Sequence, residues 1–123
     1  MEEIQREKGT VEPYDKRGST IYFRVSLSMR PSAHWSALFQ HRATFEQTAH
    51  HNHIAIDGGS VTFRAEEQNV EQALRKIDNS ISFANSETAK EEQQKKDADE
   101  NARKADAAKQ DDLRRVKSRF KDL

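Results

Sequence analysis

The sequence predicts an α+β fold: a small three-stranded, mainly antiparallel sheet in the order β-α-β-β-α, followed by a long charged C-terminal helix. Alternating apolar and polar residues indicate the strands, and apolar residues at three- and four-residue spacing indicate the helices. The last third of the chain differs, because it is mostly charged residues and alanine. We therefore divide the chain into a flexible polar N-terminal tail (1–18), an α+β core (19–85) and a charged helical extension (86–123).

The amino-acid composition excludes several kinds of site and of partner. The 123 residues are 33% hydrophobic and 34% charged, and 21 basic side chains balance 21 acidic ones. Part of the chain must therefore be solvated, and the chain as a whole has no net charge to attract nucleic acid or a membrane surface. The absence of cysteine excludes disulfides, thiolate nucleophiles and cysteine-ligated zinc.

The same composition suggests a location. No apolar run approaches the roughly 20 residues that a membrane-spanning helix needs. The first residues lack the basic and then apolar pattern of a signal peptide. We expect a cytoplasmic protein that does not contact a membrane.

The first strand is predicted where every second side chain is apolar, from Ile21 to Met29. Residues 1–18 before it carry few large apolar groups, so they can bury little surface and are expected to be flexible. Pro31 ends the strand, because proline lacks the N–H that a strand would donate.

A first helix is predicted to begin at Pro31, since proline suits the first turn of a helix. Its apolar residues recur at three- and four-residue spacing and form one stripe, made by Trp35, Leu38 and Phe39. The pattern ends near Thr44. Such a helix can cover the apolar face of the strand.

A hairpin is predicted around Asp-Gly-Gly-Ser at 57–60. Glycine permits the positive φ angles of two-residue type I′ loops. That register sets Ile56 opposite Val61 and Ile54 opposite Phe63, so that both pairs share one face.

The second helix has the clearest periodicity. Its apolar residues follow at helical spacing and are Val70, Ala73, Leu74, Ile77, Ile81 and Ala84. Beyond them, alanine and charged residues dominate, and pairs such as Glu100 and Lys104 place an acid four residues before a base. Each pair stabilises a helix by only about 0.2–0.5 kcal/mol, so we expect a helix in exchange with disorder unless a partner is bound.

Apolar residues return near the C-terminus with a spacing close to a heptad. They form a predicted interaction helix through Ala102, Ala105, Leu113, Val116, Phe120 and Leu123. Because this stripe cannot bury itself, we interpret the protein as a non-enzymatic interaction or assembly module. Its partner is expected to be another copy of the chain or a different protein.

Nucleic-acid binding is the alternative hypothesis. On the register above, Tyr22, Arg24 and Arg64 lie on the sheet face opposite the apolar pairs, where bases could stack and phosphates could pair. A basic cluster closes the chain and offers phosphate contacts through Arg114, Arg115, Lys117 and Arg119. The RNP signature of an RNA-recognition module is absent.

A third hypothesis is a histidine-based enzyme or metal protein. His51 and His53 could share a metal if both lie on the strand before the hairpin. No well-spaced Asp, Glu or Cys completes a ligand set, and no serine stands in a nucleophile motif. We therefore predict no catalytic residues and no cofactor.

Overall fold

The computed structural model describes residues 3–46 and 52–121 and confirms the α+β class. The chain divides into two compact units, Met1–Ala89 and Lys90–Leu123. The elements are β1 (Glu12–Arg17), β2 (Thr20–Ser26), α1 (Ala33–Glu46), β3 (Ala55–Asp57), β4 (Ser60–Ala65), a short 3-10 helix (Glu67–Asn69) and α2 (Val70–Arg119). The predicted extension began at residue 86, whereas α2 still buries Thr88.

The sheet has four strands in the order β1-β2-β4-β3, all antiparallel, and not the three strands that were predicted. The additional strand, β1, lies inside the segment 1–18, where the sequence predicted a polar tail. All six of its residues are exposed, so it shows no apolar alternation. Its position comes from the ladder to β2, across a two-residue loop in which Gly18 has a φ of 62°.

The hairpin between β3 and β4 has the predicted loop position, and Ile56 pairs with Val61. Only the first loop glycine, Gly58, has a positive φ (58°). That pattern is typical of a type II′ turn, in which only the first central residue needs a positive φ, and not of the predicted type I′ turn. Both turns suit the right-handed twist of the strands, so the register is the same.

One face of the sheet and both helices bury a common apolar core. Phe23 and Phe63 stack across β2 and β4 with ring centroids 5.1 Å apart. Trp35 and Phe39 stack on α1 at 5.6 Å and are almost fully buried. The core also contains most of the predicted stripe of α2, namely Ala73, Ile77, Ile81 and Ala84.

Polar side chains fix the ends and edges of this unit. Ser32 accepts a hydrogen bond from the Trp35 N–H at 3.2 Å and thereby caps α1. Gln40 of α1 donates to the Ile54 carbonyl (2.8 Å) and accepts from the Ile56 N–H (3.1 Å). The amide of Gln40 thus acts as a neighbouring strand would, and it covers the edge of β3.

Residues 4–8 are anchored on the core. Asn85 of α2 accepts from the Ile4 N–H (3.2 Å) and donates to the Ile4 carbonyl (2.8 Å), and its oxygen also accepts from the Trp35 indole N–H (3.0 Å). Arg6 donates two hydrogen bonds to the carboxylate of Asp78 in a two-pronged ion pair, and this hydrogen bonding raises the pKa of Arg6. Ile4 is accordingly buried, only 5% exposed.

The second unit contains the remainder of α2. Every residue of 90–121, hereafter the C-terminal segment, is exposed. The pair Glu100 and Lys104 forms at 3.3 Å, as the four-residue spacing predicted. Within residues 3–46 and 52–121, no helix has both the length and the apolar content that crossing a bilayer requires.

Candidate functional site

The face of the sheet that points away from the core brings together the three sheet residues predicted for nucleic-acid binding. The ladder pairs Tyr22 with Arg64 and Arg24 with Thr62. Their sequence neighbours Phe23 and Phe63 point to the core, so these side chains lie on the opposite face. We call this surface, with Tyr14 and His53, the outer sheet face.

Tyr14 was missed in the sequence because its strand was interpreted as a tail. It occupies a bulge between Pro13 and Asp15, and its ring centroid lies 6.3 Å from that of Tyr22. The Arg24 guanidinium lies 5.3 Å from the Tyr14 centroid. The glycine in the β1–β2 loop was the one sequence signal that could have indicated this hairpin.

A depression of about 220 Å³ lies in this surface. It is lined by Tyr14, Tyr22, His53, Thr62, Phe63 and Arg64. The exposed ring of Tyr14 and the half-buried ring of Tyr22, beside guanidinium groups, can stack on a planar ring and contact an anion. Two acidic side chains offset part of the positive charge on this face, because Glu12 lies opposite Arg24 and Asp15 pairs with Arg17 at 3.6 Å.

His53 lies at this surface and has an unusual backbone conformation. Its φ is 47°, a left-handed conformation that is uncommon outside glycine. The buried residue before it, Asn52, fixes the chain: its side-chain amide donates to the Arg64 carbonyl (2.9 Å), and its oxygen accepts from the Lys76 ammonium (2.9 Å). The backbone carbonyl of Asn52 also accepts from the Arg64 N–H at 2.7 Å.

Of the predicted histidine pair, only His53 is among the described residues, and His51 lies outside them. Among residues 3–46 and 52–121, no group of three or more His, Cys, Asp or Glu side chains is placed to hold a metal ion. A metal site at His51 and His53 therefore stays a prediction.

The described apolar residues of the predicted interaction helix lie in the C-terminal segment, in which every described residue is exposed. Leu113 is 54% exposed, Val116 48% and Phe120 49%. Ala102 and Ala105 are exposed on the same helix, and Leu123 lies outside the described residues.

The basic cluster at the end of this helix is partly paired with acids on the preceding turn. Arg114 lies 4.0 Å from Asp111, and Arg115 lies 3.6 Å from Asp112. Arg119 stacks on the ring of Phe120, with its guanidinium 5.4 Å from the centroid. These pairs are exposed, so each contributes little stability, and the cluster stays available to a partner.

No protein-family model matches this chain, and no curated protein or solved structure matches it either. We therefore infer the function from two exposed surfaces, the outer sheet face and the C-terminal segment.

Proposed function

We propose that the protein is a non-enzymatic assembly module that associates with a second copy of itself through the C-terminal segment. The observation that carries this proposal is the exposure of Leu113, Val116 and Phe120, each about half exposed, on a helix of 50 residues. A helix of this length with no buried residue past Thr88 gains its stability most readily by packing on a partner.

Burial of apolar surface would supply the free energy of association. Fully burying a Val, Leu or Phe side chain contributes about 1.5–3 kcal/mol, so covering the exposed half of each contributes roughly 1 kcal/mol. Two copies offer two such sets at once, because a two-fold interface uses the same surface twice. The resulting association depends on protein concentration.

Sedimentation of the full chain over a wide concentration range tests the proposal. We expect a concentration-dependent dimer, a monomer for residues 1–89 alone, and a dimer weakened at least about tenfold by Val116→Asp, which buries an unpaired charge. Ser118→Asp is the matched control, because Ser118 lies on the opposite side of the same turn. A full chain that stays monomeric throughout refutes self-association.

A second candidate function is favoured by the cluster of Tyr14, Tyr22 and Arg24 on the outer sheet face. The two tyrosine rings lie 6.3 Å apart and the Arg24 guanidinium lies 5.3 Å from the Tyr14 ring, an arrangement that suits stacking on the bases of single-stranded nucleic acid. The basic residues Arg114, Arg115, Lys117 and Arg119 would add phosphate contacts.

Fluorescence anisotropy with labelled single-stranded DNA and RNA tests this candidate. Stacking is worth about 1–3 kcal/mol per base, so Tyr22→Ala should weaken binding by roughly tenfold or more. Phe45→Ala is the control, because Phe45 is an aromatic residue 70% exposed on α1, outside this face. Equal affinity of both variants, or binding that does not fall as salt rises, contradicts the candidate.

A further inference from the structure

The sequence positions of the exposed apolar stripe in the C-terminal segment are arranged symmetrically about Lys109. The stripe extends further toward the N-terminus than the predicted heptad seam, and its members are Ala98, Ala102, Ala105, Lys109, Leu113, Val116 and Phe120. Counted from Lys109, the positions lie 4, 7 and 11 residues away in both directions. At about 100° per residue, all seven fall within about 80° of arc on the helix. The N–H of Phe120 bonds the Val116 carbonyl at 3.2 Å, so the helical path reaches the last member.

The two halves of this stripe differ in size. Before Lys109 every member is alanine, and after it every member is large: Leu113, Val116 and Phe120. A second copy running antiparallel, with Lys109 at the two-fold axis, faces each large side chain with an alanine. Large-to-small contacts let two helices interdigitate at an even separation. A parallel copy would instead set Phe120 against Phe120 and alanine against alanine, which leaves gaps.

Charge favours the same direction. Residues 113–121 carry five basic side chains and no acidic one, whereas 97–112 carry six acidic and three basic. An antiparallel copy sets the basic end against the acidic stretch, with Lys117 near Asp99 and Arg119 near Asp97. A parallel copy would set five basic groups beside five more, and like charges repel.

We infer that residues 98–120 pair antiparallel with the same segment of a second copy, with Lys109 at the two-fold axis. This inference rests on the proposed self-association and adds its direction and register. The ammonium of Lys109 extends sideways from the axis toward the carboxylates of Asp106 and Asp112. The spacing repeats every eleven residues, which favours a right-handed supercoil and not the left-handed supercoil of a heptad seam.

The chain contains no cysteine, so single introduced cysteines report the pairing by disulfide formation. Lys109→Cys should cross-link to itself under mild oxidation, because the two copies meet there. Ala102→Cys alone and Val116→Cys alone should not, because each lies about 21 Å from its own copy along an antiparallel pair at 1.5 Å per residue. A mixture of Ala102→Cys and Val116→Cys chains should cross-link.

The outcomes separate the inference from the proposed function. Self-cross-linking of Ala102→Cys and Val116→Cys, in a chain that sediments as a dimer, shows a parallel pair and overturns the antiparallel register alone. A dimer in which none of the cysteines cross-links would show that this segment is not the interface. A chain that sediments as a monomer removes both the inference and the proposed self-association.

Discussion

Replacing Asn85 with alanine removes a side chain that joins α2, α1 and the N-terminal segment. The variant loses both hydrogen bonds to the backbone of Ile4, and it leaves the Trp35 indole N–H without its acceptor. Trp35 is only 1% exposed, so water cannot easily replace that acceptor. The expected result is a large loss of stability from a side chain that is itself polar.

The magnitude follows from these three bonds. An orphaned buried donor costs about 1–3 kcal/mol, and each bond to Ile4 contributes about 0.5–1.5 kcal/mol net. The higher helix propensity of alanine offsets about 0.5 kcal/mol. We therefore expect a destabilisation of about 3 kcal/mol, which lowers the Tm of a unit of this size by roughly 12–24 °C.

Thermal and urea unfolding measure the effect, and the emission of Trp35, the single tryptophan of the chain, reports locally. We expect red-shifted emission for Asn85→Ala if the N-terminal segment lifts. Ser82→Ala is the matched control on an exposed position one turn earlier, and it should change stability by less than about 0.5 kcal/mol. A loss below about 1 kcal/mol for Asn85→Ala would refute the role of Asn85 as a three-way anchor.

Two further predictions concern the Arg6–Asp78 ion pair and the turn between β3 and β4. Asp78→Asn breaks the ion pair with Arg6, whose side chains are 47% (Asp78) and 21% (Arg6) exposed. Because solvent screens such a pair, we expect the free energy of unfolding in urea to fall by only about 1 kcal/mol. A fall of more than about 3 kcal/mol would show that the pair is effectively buried. Gly58→Ala should cost roughly 1–2 kcal/mol because φ is positive there, whereas Gly59→Ala, whose φ is not positive, should cost less. Equal losses for the two glycine variants would contradict the assigned turn.

Much of the core could be predicted from periodicity. Phe23, Val25, Trp35 and Phe39 are buried where alternation and helical spacing place them, because a side chain in a strand or helix has its direction set by local geometry. The stripe of α2 is readable for the same reason. These patterns require no knowledge of which element packs on which.

The N-terminal hairpin and its anchor could not be predicted in this way. β1 is exposed along its whole length, so its residues carry no burial signal, and its ladder depends on a neighbour that is already in place. Ile4 and Asn85 are 81 residues apart in the chain, and nothing local to either indicates the other. For the same reason, the outer sheet face was predicted with Tyr22 but without Tyr14.

Local composition and periodicity by themselves determined the α+β class, both helices, the central strands and the exposed stripe of the C-terminal segment. Each of these follows from interactions within a few residues or from the spacing of apolar residues that places them on one face of a helix or strand. Tertiary structure alone decided the fourth strand, the anchoring of residues 4–8 and the meeting of Tyr14 with Tyr22 and Arg24. The physical reason is that these features depend on hydrogen bonds and contacts between distant segments, whose energy appears only once the sheet and helices have assembled.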